Sequence, residues 1–263
     1  MPSPLFIVDA FTNHLFGGNP AAVCIHDEPK DRDWMQSVAA EMNLSETVFV
    51  RPKQDLFELK WFTPLAEVAL CGHATLAAAH VLWESNVVPL GYPLTFSTLS
   101  GKLTATKNTA WINLDFPALG VEKVDPPEGF LGALGVTPTF VGKSRFDILV
   151  EVATEDEVRT ASPNFAALCA EKSVRGTILT ARSDAVEYDF VSRFFAPSVG
   201  IPEDPVTGSA HCCLAPYWAA KLGRTELSAF QASKRGGHIQ VALRGSRVQL
   251  SGQAVTVTSG KLL

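Results

Sequence analysis

Hydrophobic and polar positions along the 263-residue chain alternate in short blocks, and turn residues separate the blocks. Alternation with a period of two is typical of half-buried strands, whereas apolar residues three and four positions apart are typical of helices. The pattern predicts strands at 6–11, 21–25, 47–51, 57–62, 94–97, 101–106, 110–116, 145–152, 176–181 and 188–195. It predicts amphipathic helices at 31–42 and near 164–171.

The segment 74–83 differs from these helices because apolar residues surround it on nearly every side. A helix without a polar face must be enclosed by other elements. Many short strands around one enclosed helix predict a sheet that curls about it, and hence an α+β fold.

The pattern of 61–83 recurs in 194–218. Each copy has an aromatic strand ending in Thr-Pro or Ala-Pro, a loop, a Gly-x-Ala helix start and a closing Trp. Seven positions separate the Pro from Cys71 in the first copy and from Asp204 in the second. This joint match favours an internal duplication over chance recurrence of strands and helices. It predicts two pseudo-symmetric lobes, 1–118 and 119–253, and leaves open whether the C-terminal strand 254–263 belongs to the first.

Composition and charge exclude several classes of protein. With 46% hydrophobic and 19% charged residues the chain is globular, and a formal charge of −5 leaves no basic field for nucleic acid. No apolar run approaches the length of a membrane span, and the N-terminus lacks the basic region of a signal peptide.

Five cysteines without CxxC spacing predict reduced thiols and a cytoplasmic protein. Cys212 and Cys213 lie next to His211, but consecutive helical residues point about 100° apart and cannot converge on one ion. We therefore expect no metal site.

Most of the side chains that could take part in catalysis or binding lie at the two helix starts that begin with Gly. The first N–H groups of a helix lack internal partners and carry partial positive charge, so they suit a carboxylate. Cys71-Gly72-His73 stands at one start and 204–209 at the other, and the duplication predicts that the two starts face each other across a cleft.

Glu46 stands where a loop enters a strand, and its counterpart in the second copy is Gly176. Proton abstraction next to a carbonyl needs a base, a second proton carrier and donors for the developing charge. Glu46, His73 with Asp204, and the helix N–H groups would supply them. Taken singly, Glu46 could face solvent, His73 could be a packed or capping histidine, and Asp204 could be a turn residue.

Taken together, the motifs resemble the phenazine-biosynthesis isomerase (PhzF-like) family from end to end. They are Asp9-Ala-Phe-Thr, Phe16-Gly-Gly-Asn-Pro-Ala-Ala-Val23, Ser45-Glu-Thr47, Cys71-Gly-His-Ala-Thr75 and Asp204-Pro-x-Thr-Gly-Ser-Ala210. The resemblance implies the fold of diaminopimelate epimerase, with each lobe a mixed-sheet barrel around a central helix. It also implies a homodimer.

The resemblance further implies cofactor-independent isomerisation of a small carboxylate-bearing substrate by general acid/base catalysis. Glu46 matches the principal acid/base, and His73 and Asp204 match the assisting proton carriers. The residues expected to hold the substrate are Gly72, Gly208, Ser209 and, in the loop from Phe16 onward, Asn19.

Two alternatives stay open at this point. Thiol epimerases of this fold use two opposed cysteines, but Thr207 stands opposite Cys71 in the aligned copies, so a two-thiol mechanism lacks a partner. A catalytically silent member that binds a metabolite or a protein would be expected to have lost part of the Glu46, His73 and Asp204 set. The sequence does not specify the substrate, and Arg235 and His238 are assigned to a hairpin.

Overall fold

The computed structural model describes residues 2–170 and 174–263. The chain divides into two compact units. Unit 1 comprises the chain up to Phe116 together with Gln249–Leu263, and unit 2 comprises Pro117–Val248. The sequence-based boundaries, at 118/119 and at 254, stand close to both crossings but are not identical to them.

Unit 1 is a curled mixed sheet with two helices. Its elements are β1 (Ser3–Ala10), β2 (Asn19–Ile25), α1 (Arg32–Met42), β3 (Glu46–Lys53), β4 (Leu56–Phe62), β5 (Glu67–Val68), α2 (Gly72–Glu84), β6 (Leu94–Thr98), β7 (Gly101–Asn108), β8 (Trp111–Pro117), the end of β17 (Arg247–Gly252) and β18 (Ala254–Leu262). Strand β1 is antiparallel to both β2 and β18. Parallel pairs join β2 to β3 and β4 to β6.

Unit 2 repeats this plan. Its elements are β9 (Glu122–Lys123), α3 (Phe130–Leu134), β10 (Phe140–Lys143), β11 (Asp147–Glu151), α4 (Glu155–Thr160), α5 (Phe165–Leu168), β12 (Gly176–Arg182), β13 (Phe190–Ala196), a 3₁₀ turn (Pro197–Val199), β14 (Ile201–Asp204), α6 (Gly208–Leu222), β15 (Glu226–Gln231) and β16 (Gly237–Arg244). Parallel pairs join β11 to β12 and β13 to β15.

The strand registers of the two units match residue by residue. Glu46 begins β3 opposite β2, and Gly176 begins β12 opposite β11. The next residue along each strand pairs with Phe62 in unit 1 and with Phe195 in unit 2. The parallel β4–β6 pair and its counterpart β13–β15 begin at equivalent positions, five residues before those phenylalanines. These registers support the duplication inferred from the sequence.

Helix α2 forms the axis of unit 1. Eleven of its thirteen residues, His73 to Trp83, are buried, which confirms that a helix without a polar face is enclosed. Helix α6 has the equivalent place in unit 2, and its Trp218 stacks on Phe190 of β13 with the rings 7° from parallel.

Two helices differ from the sequence-based prediction. The helix expected at 164–171 is only the single turn α5, and residue 171 lies outside the described residues. Helix α4 was not predicted, although Thr154 and Glu157 form a capping box at its start. Within the described part of the chain, no helix combines the length and the apolar character needed to cross a bilayer.

Candidate active site

Glu46 is brought to the interior of unit 1 by its place at the start of β3. Side chains alternate along a strand, so Glu46 shares a face with the buried Val48 and Val50. Its side chain is only 13% exposed. A carboxyl group this far from solvent requires polar neighbours.

His73, the second residue of α2, is the main neighbour of Glu46. Its Nε2 atom lies 3.0 Å from Glu46 Oε2, and the imidazole is 5% exposed. The ring N–H is not closely aligned with the carboxylate oxygen, so charge as well as hydrogen bonding holds the two groups together. The structure thus joins two of the three predicted proton carriers.

Asn19 and Cys71 contact the other side of the imidazole. The Asn19 Nδ2 atom lies 3.2 Å from His73 Nδ1, and Cys71 Sγ lies 3.6 Å from the same nitrogen. Asn19 is fully buried at the start of β2, where the preceding loop is held by a 2.7 Å hydrogen bond from the Phe16 amide to Asp9. Asn19 was predicted to bind substrate, and the structure shows that it contacts His73.

The electrostatics of this cluster favour a charged histidine. Burial by itself lowers the pKa of His73, but negative charge on Cys71 and on Glu46 favours the imidazolium. The net pKa of His73 lies well above its usual value. Because burial raises the pKa of Cys71 itself, that thiol stays protonated near neutral pH. Glu46 is therefore the anion that stabilises the imidazolium.

The same three side chains are the one group in the described chain whose donor atoms suit a metal ion. Single ligand atoms of Glu46, Cys71 and His73 lie within 4.8 Å of one another, and carboxylate, thiolate and imidazole are the ligands of Zn²⁺. However, the imidazole directs one nitrogen to Cys71 and the other to Glu46, and one ion binds only one of them. The absence of a metal stays a prediction.

The remaining predicted residues form a second group, in unit 2. Asp204 ends β14 and is 8% exposed, and its Oδ2 atom accepts a 2.5 Å hydrogen bond from the Thr207 hydroxyl. Gly208 and Ser209 begin α6. Gln231, which the sequence analysis missed, accepts from the Thr207 amide at 2.8 Å and donates to the Asp204 carbonyl at 2.8 Å. Gln231 is more than twenty residues from Asp204 and Thr207 along the chain, so no sequence motif links it to them.

Both helix starts lack a side-chain cap. Cys71 is the N-cap of α2 and Thr207 is the N-cap of α6, as the aligned copies predicted, and neither side chain forms a regular capping hydrogen bond, although the Ala74 amide interacts with the Cys71 thiol. Both N-cap carbonyls instead accept from the helix, from the Thr75 hydroxyl at 2.5 Å and from His211 Nδ1 at 2.8 Å. The positive ends of the two helix dipoles are suited to negative charge.

The position equivalent to Glu46 cannot carry an acid in unit 2. A Cβ atom added to Gly176 would lie 2.4 Å from the ring of Phe194. The ring of a buried phenylalanine occupies the space in unit 2 that a side chain at this position would need. This packing explains in physical terms why only one of the two copies has the carboxyl group.

Comparison with known proteins gives a consistent result. The family model described as phenazine biosynthesis-like protein (PhzC-PhzF) matches residues 8–260. The chain is 52% identical to a protein named as an uncharacterized isomerase from Halalkalibacterium halodurans, over 100% of this chain and 99% of that protein.

Solved structures agree. A PhzF-family phenazine biosynthesis protein from Enterococcus faecalis superposes with a TM-score of 0.95 at 40% identity, over 100% of both chains. A probable proline racemase from Agrobacterium radiobacter K84 shares the fold, with a TM-score of 0.69 at 14% identity over 99% of this chain and 93% of that one. The fold is thus the predicted α+β type of the diaminopimelate-epimerase-like proteins, and the chain belongs to the phenazine biosynthesis-like (PhzC-PhzF) family.

Proposed function

We propose that this protein is a cofactor-independent isomerase that moves a proton on a small carboxylate-bearing metabolite, with Glu46 as the general acid/base. The relative from Halalkalibacterium halodurans that is 52% identical is named as an isomerase, which supports the reaction class. The assignment of Glu46 rests on the geometry of unit 1.

The observation that carries this proposal is the contact between Glu46 and His73. A buried carboxylate that abstracts a proton from carbon becomes neutral, and a neighbouring imidazolium 3.0 Å away stabilises the carboxylate before the abstraction and again once the proton has been returned to the substrate. Contact with Asn19 on the opposite side of the ring keeps the imidazole oriented toward Glu46.

The uncapped start of α2 supports binding of the substrate carboxylate. Gly72 is the first helical residue, so the backbone N–H groups there are accessible without a side chain in front of them. These N–H groups would also stabilise negative charge that spreads onto the carboxylate when the adjacent carbon loses its proton. Gly208 and Ser209 offer the same chemistry at the start of α6.

Cys71 is assigned to packing rather than to proton transfer. Its thiol is buried and its pKa is raised, so little thiolate exists near neutral pH to act as a base. At the equivalent N-cap, Thr207 has a hydroxyl that donates to Asp204. Asp204 is proposed as a further proton carrier, because this short hydrogen bond stabilises its carboxylate form.

Hydrogen exchange from solvent tests the proposal. The wild type is incubated in D₂O with a panel of small carboxylates that carry an acidic C–H bond, and incorporation of deuterium is measured by mass spectrometry. We expect Glu46→Gln to slow exchange by about 10² to 10⁴-fold, as loss of a general acid/base does. Glu41→Gln, which changes an exposed carboxylate on α1, should exchange like the wild type.

The other readings predict different outcomes. Exchange that survives in Glu46→Gln but disappears in Cys71→Ala would contradict the proposal and favour a thiol mechanism. Binding of a carboxylate without any exchange would favour a catalytically silent protein. Loss of exchange after treatment with a chelator, restored by Zn²⁺, would show that Glu46, Cys71 and His73 act as metal ligands instead.

A further inference from the structure

A second polar cavity lies in unit 1, on the opposite face of the strands that hold Glu46. Alternation along β3 and β4 places Phe49, Arg51, Glu58 and Lys60 on the face that packs against α1. Phe49 pairs with Lys60 across the two strands, and Arg51 pairs with Glu58. Arg51 is five residues from Glu46 along β3, or about 16 Å at the usual rise per residue.

The cavity has an apolar floor and a cationic rim. Phe49 and Met35 form the floor, and both are about 1% exposed. Lys30, Arg51 and Lys60 line the rim with one carboxylate, Glu58. The volume, about 80 Å³, has room for several water molecules or a small polyatomic ion but is far below the size of a drug-like ligand site.

The charges around this cavity do not balance. The Glu58 carboxylate is already bound by Arg51 at 2.7 Å and by Lys53 at 2.8 Å. Within the described ranges, neither Lys30 nor Lys60 has a carboxylate within ion-pair distance, and Lys30 lies over the ring of Trp34 instead. Two half-buried lysines thus line a cavity at which the lining carboxylate, Glu58, is already bound by Arg51 and Lys53.

The pKa of His26 is affected by the same positive charges. Burial lowers the pKa of this histidine, and the charges of Arg51 and Lys30 lower it further, although its hydrogen bond to the Glu28 carbonyl and the charge of Glu58 oppose them. The ring lies against Phe49 and lines the cavity. A bound anion would offset the repulsion and raise the pKa of His26.

We propose that this cavity binds a small oxyanion of the size and charge of inorganic phosphate, at a site separate from the Glu46–His73 cluster. Lys30 and Lys60 supply charge-assisted hydrogen bonds, Arg51 supplies the guanidinium donors that its contact with Glu58 leaves available, and the His26 ring contributes a proton when the anion is bound. Binding would tie the segment before α1 to β3 and β4, and thus stabilise the packing of this helix on the sheet.

Phosphate titration of the purified full chain tests the proposal. Phosphate is added at constant ionic strength against sodium chloride, and the melting temperature and the His26 pKa, measured by NMR, are followed. We expect a saturable rise in melting temperature and a saturable rise in the His26 pKa, because the bound anion offsets the positive charges around the ring. Lys60→Gln should weaken phosphate binding about tenfold, since a hydrogen bond to a charged group is lost.

A matched variant separates site binding from general charge effects. Lys102→Gln removes an exposed ammonium group on β7 and should bind phosphate like the wild type. Equal phosphate responses in Lys60→Gln, Lys102→Gln and the wild type would overturn the proposal. So would an unchanged His26 pKa at saturating phosphate. Melting temperatures without phosphate show whether Lys60→Gln folds normally.

Discussion

Measuring the charge state of His73 tests most directly whether Glu46 stabilises an imidazolium in the candidate site. At 3.0 Å, a unit charge pair in an effective dielectric of about 20 interacts by about 5.5 kcal/mol, which is an upper bound of about four pKa units. A Gln side chain at position 46 keeps a hydrogen-bond acceptor but no charge. We therefore expect Glu46→Gln to lower the pKa of His73, because one close counter-charge is lost.

The measurement is an NMR titration of the histidine ring nitrogens between about pH 4.5 and 9. His26 and His211, whose pKa values are both lowered, serve as internal references in the same spectra. Cys71→Ala is the decisive companion variant, because its thiol lies 3.6 Å from the ring but is protonated near neutral pH by our reasoning. It should change the pKa of His73 by much less than Glu46→Gln does.

The opposite ranking would refute this reasoning. If Cys71→Ala lowered the pKa of His73 as far as or further than Glu46→Gln, the counter-ion would be a thiolate, and the thiol would regain its place as a candidate base. Glu41→Gln controls for nonspecific effects of removing one negative charge.

Three further predictions concern stability. Arg175 forms a bidentate ion pair with the fully buried Asp147, at 3.0 and 2.6 Å. Arg175→Ala should therefore lower the free energy of unfolding, measured in urea titrations, by about 3 kcal/mol, and adding Asp147→Asn should recover part of the loss. An unchanged free energy of unfolding in Arg175→Ala would contradict this. Gly18 has a φ of 59°, and a Cβ atom there would lie 2.1 Å from a backbone oxygen, so Gly18→Ala should lower the free energy of unfolding by at least about 2 kcal/mol. Gly223 has a similar φ of 66° but open space around it, so Gly223→Ala should cost only the backbone strain. Equal losses of stability for the two variants in thermal melts would contradict the steric clash at Gly18. His211 is fully buried and its pKa is lowered to about 4, so between about pH 6.5 and pH 4 this histidine is protonated in the unfolded chain but not in the folded chain. The free energy of unfolding should therefore fall by about 3 kcal/mol as the pH is lowered through this window. Urea titrations at each pH should show that His211→Gln removes this part of the acid sensitivity.

The outline of the fold could be predicted because local patterns and tertiary packing agree. The apolar surface of α2 required an enclosed helix, and the repeated aromatic–Pro–Gly–x–Ala order required two similar units. The short strands β5 and β14 were missed because two to four residues carry no measurable periodicity. Helix α4 was missed although its capping box is readable as Thr154-Glu-Asp-Glu157.

The candidate site was partly predictable. Glu46 and His73 could be paired because family motifs named both, but their 3.0 Å contact depends on the register of β3 beside α2, which the sequence does not state. Asn19 is expected to hold the substrate, which stays a prediction, and its side-chain amide lies 3.2 Å from His73, a contact that the sequence does not indicate. The cationic cavity went unnoticed because its residues come from four separate elements or loops and form a cluster only after folding.

The pairing of the first and last strands has a consequence for synthesis of the chain. Strand β1 lies between β2 and β18, so the sheet around α2 is not closed until residues 254–262 are available. Unit 2, in contrast, is one continuous stretch of chain. During translation, unit 2 can therefore complete its fold first. Until β18 is available, the sheet of unit 1 is incomplete and the apolar helix α2 is only partly covered. The sheet beside α2 is therefore complete only after residues 254–262 have left the ribosome and paired with β1.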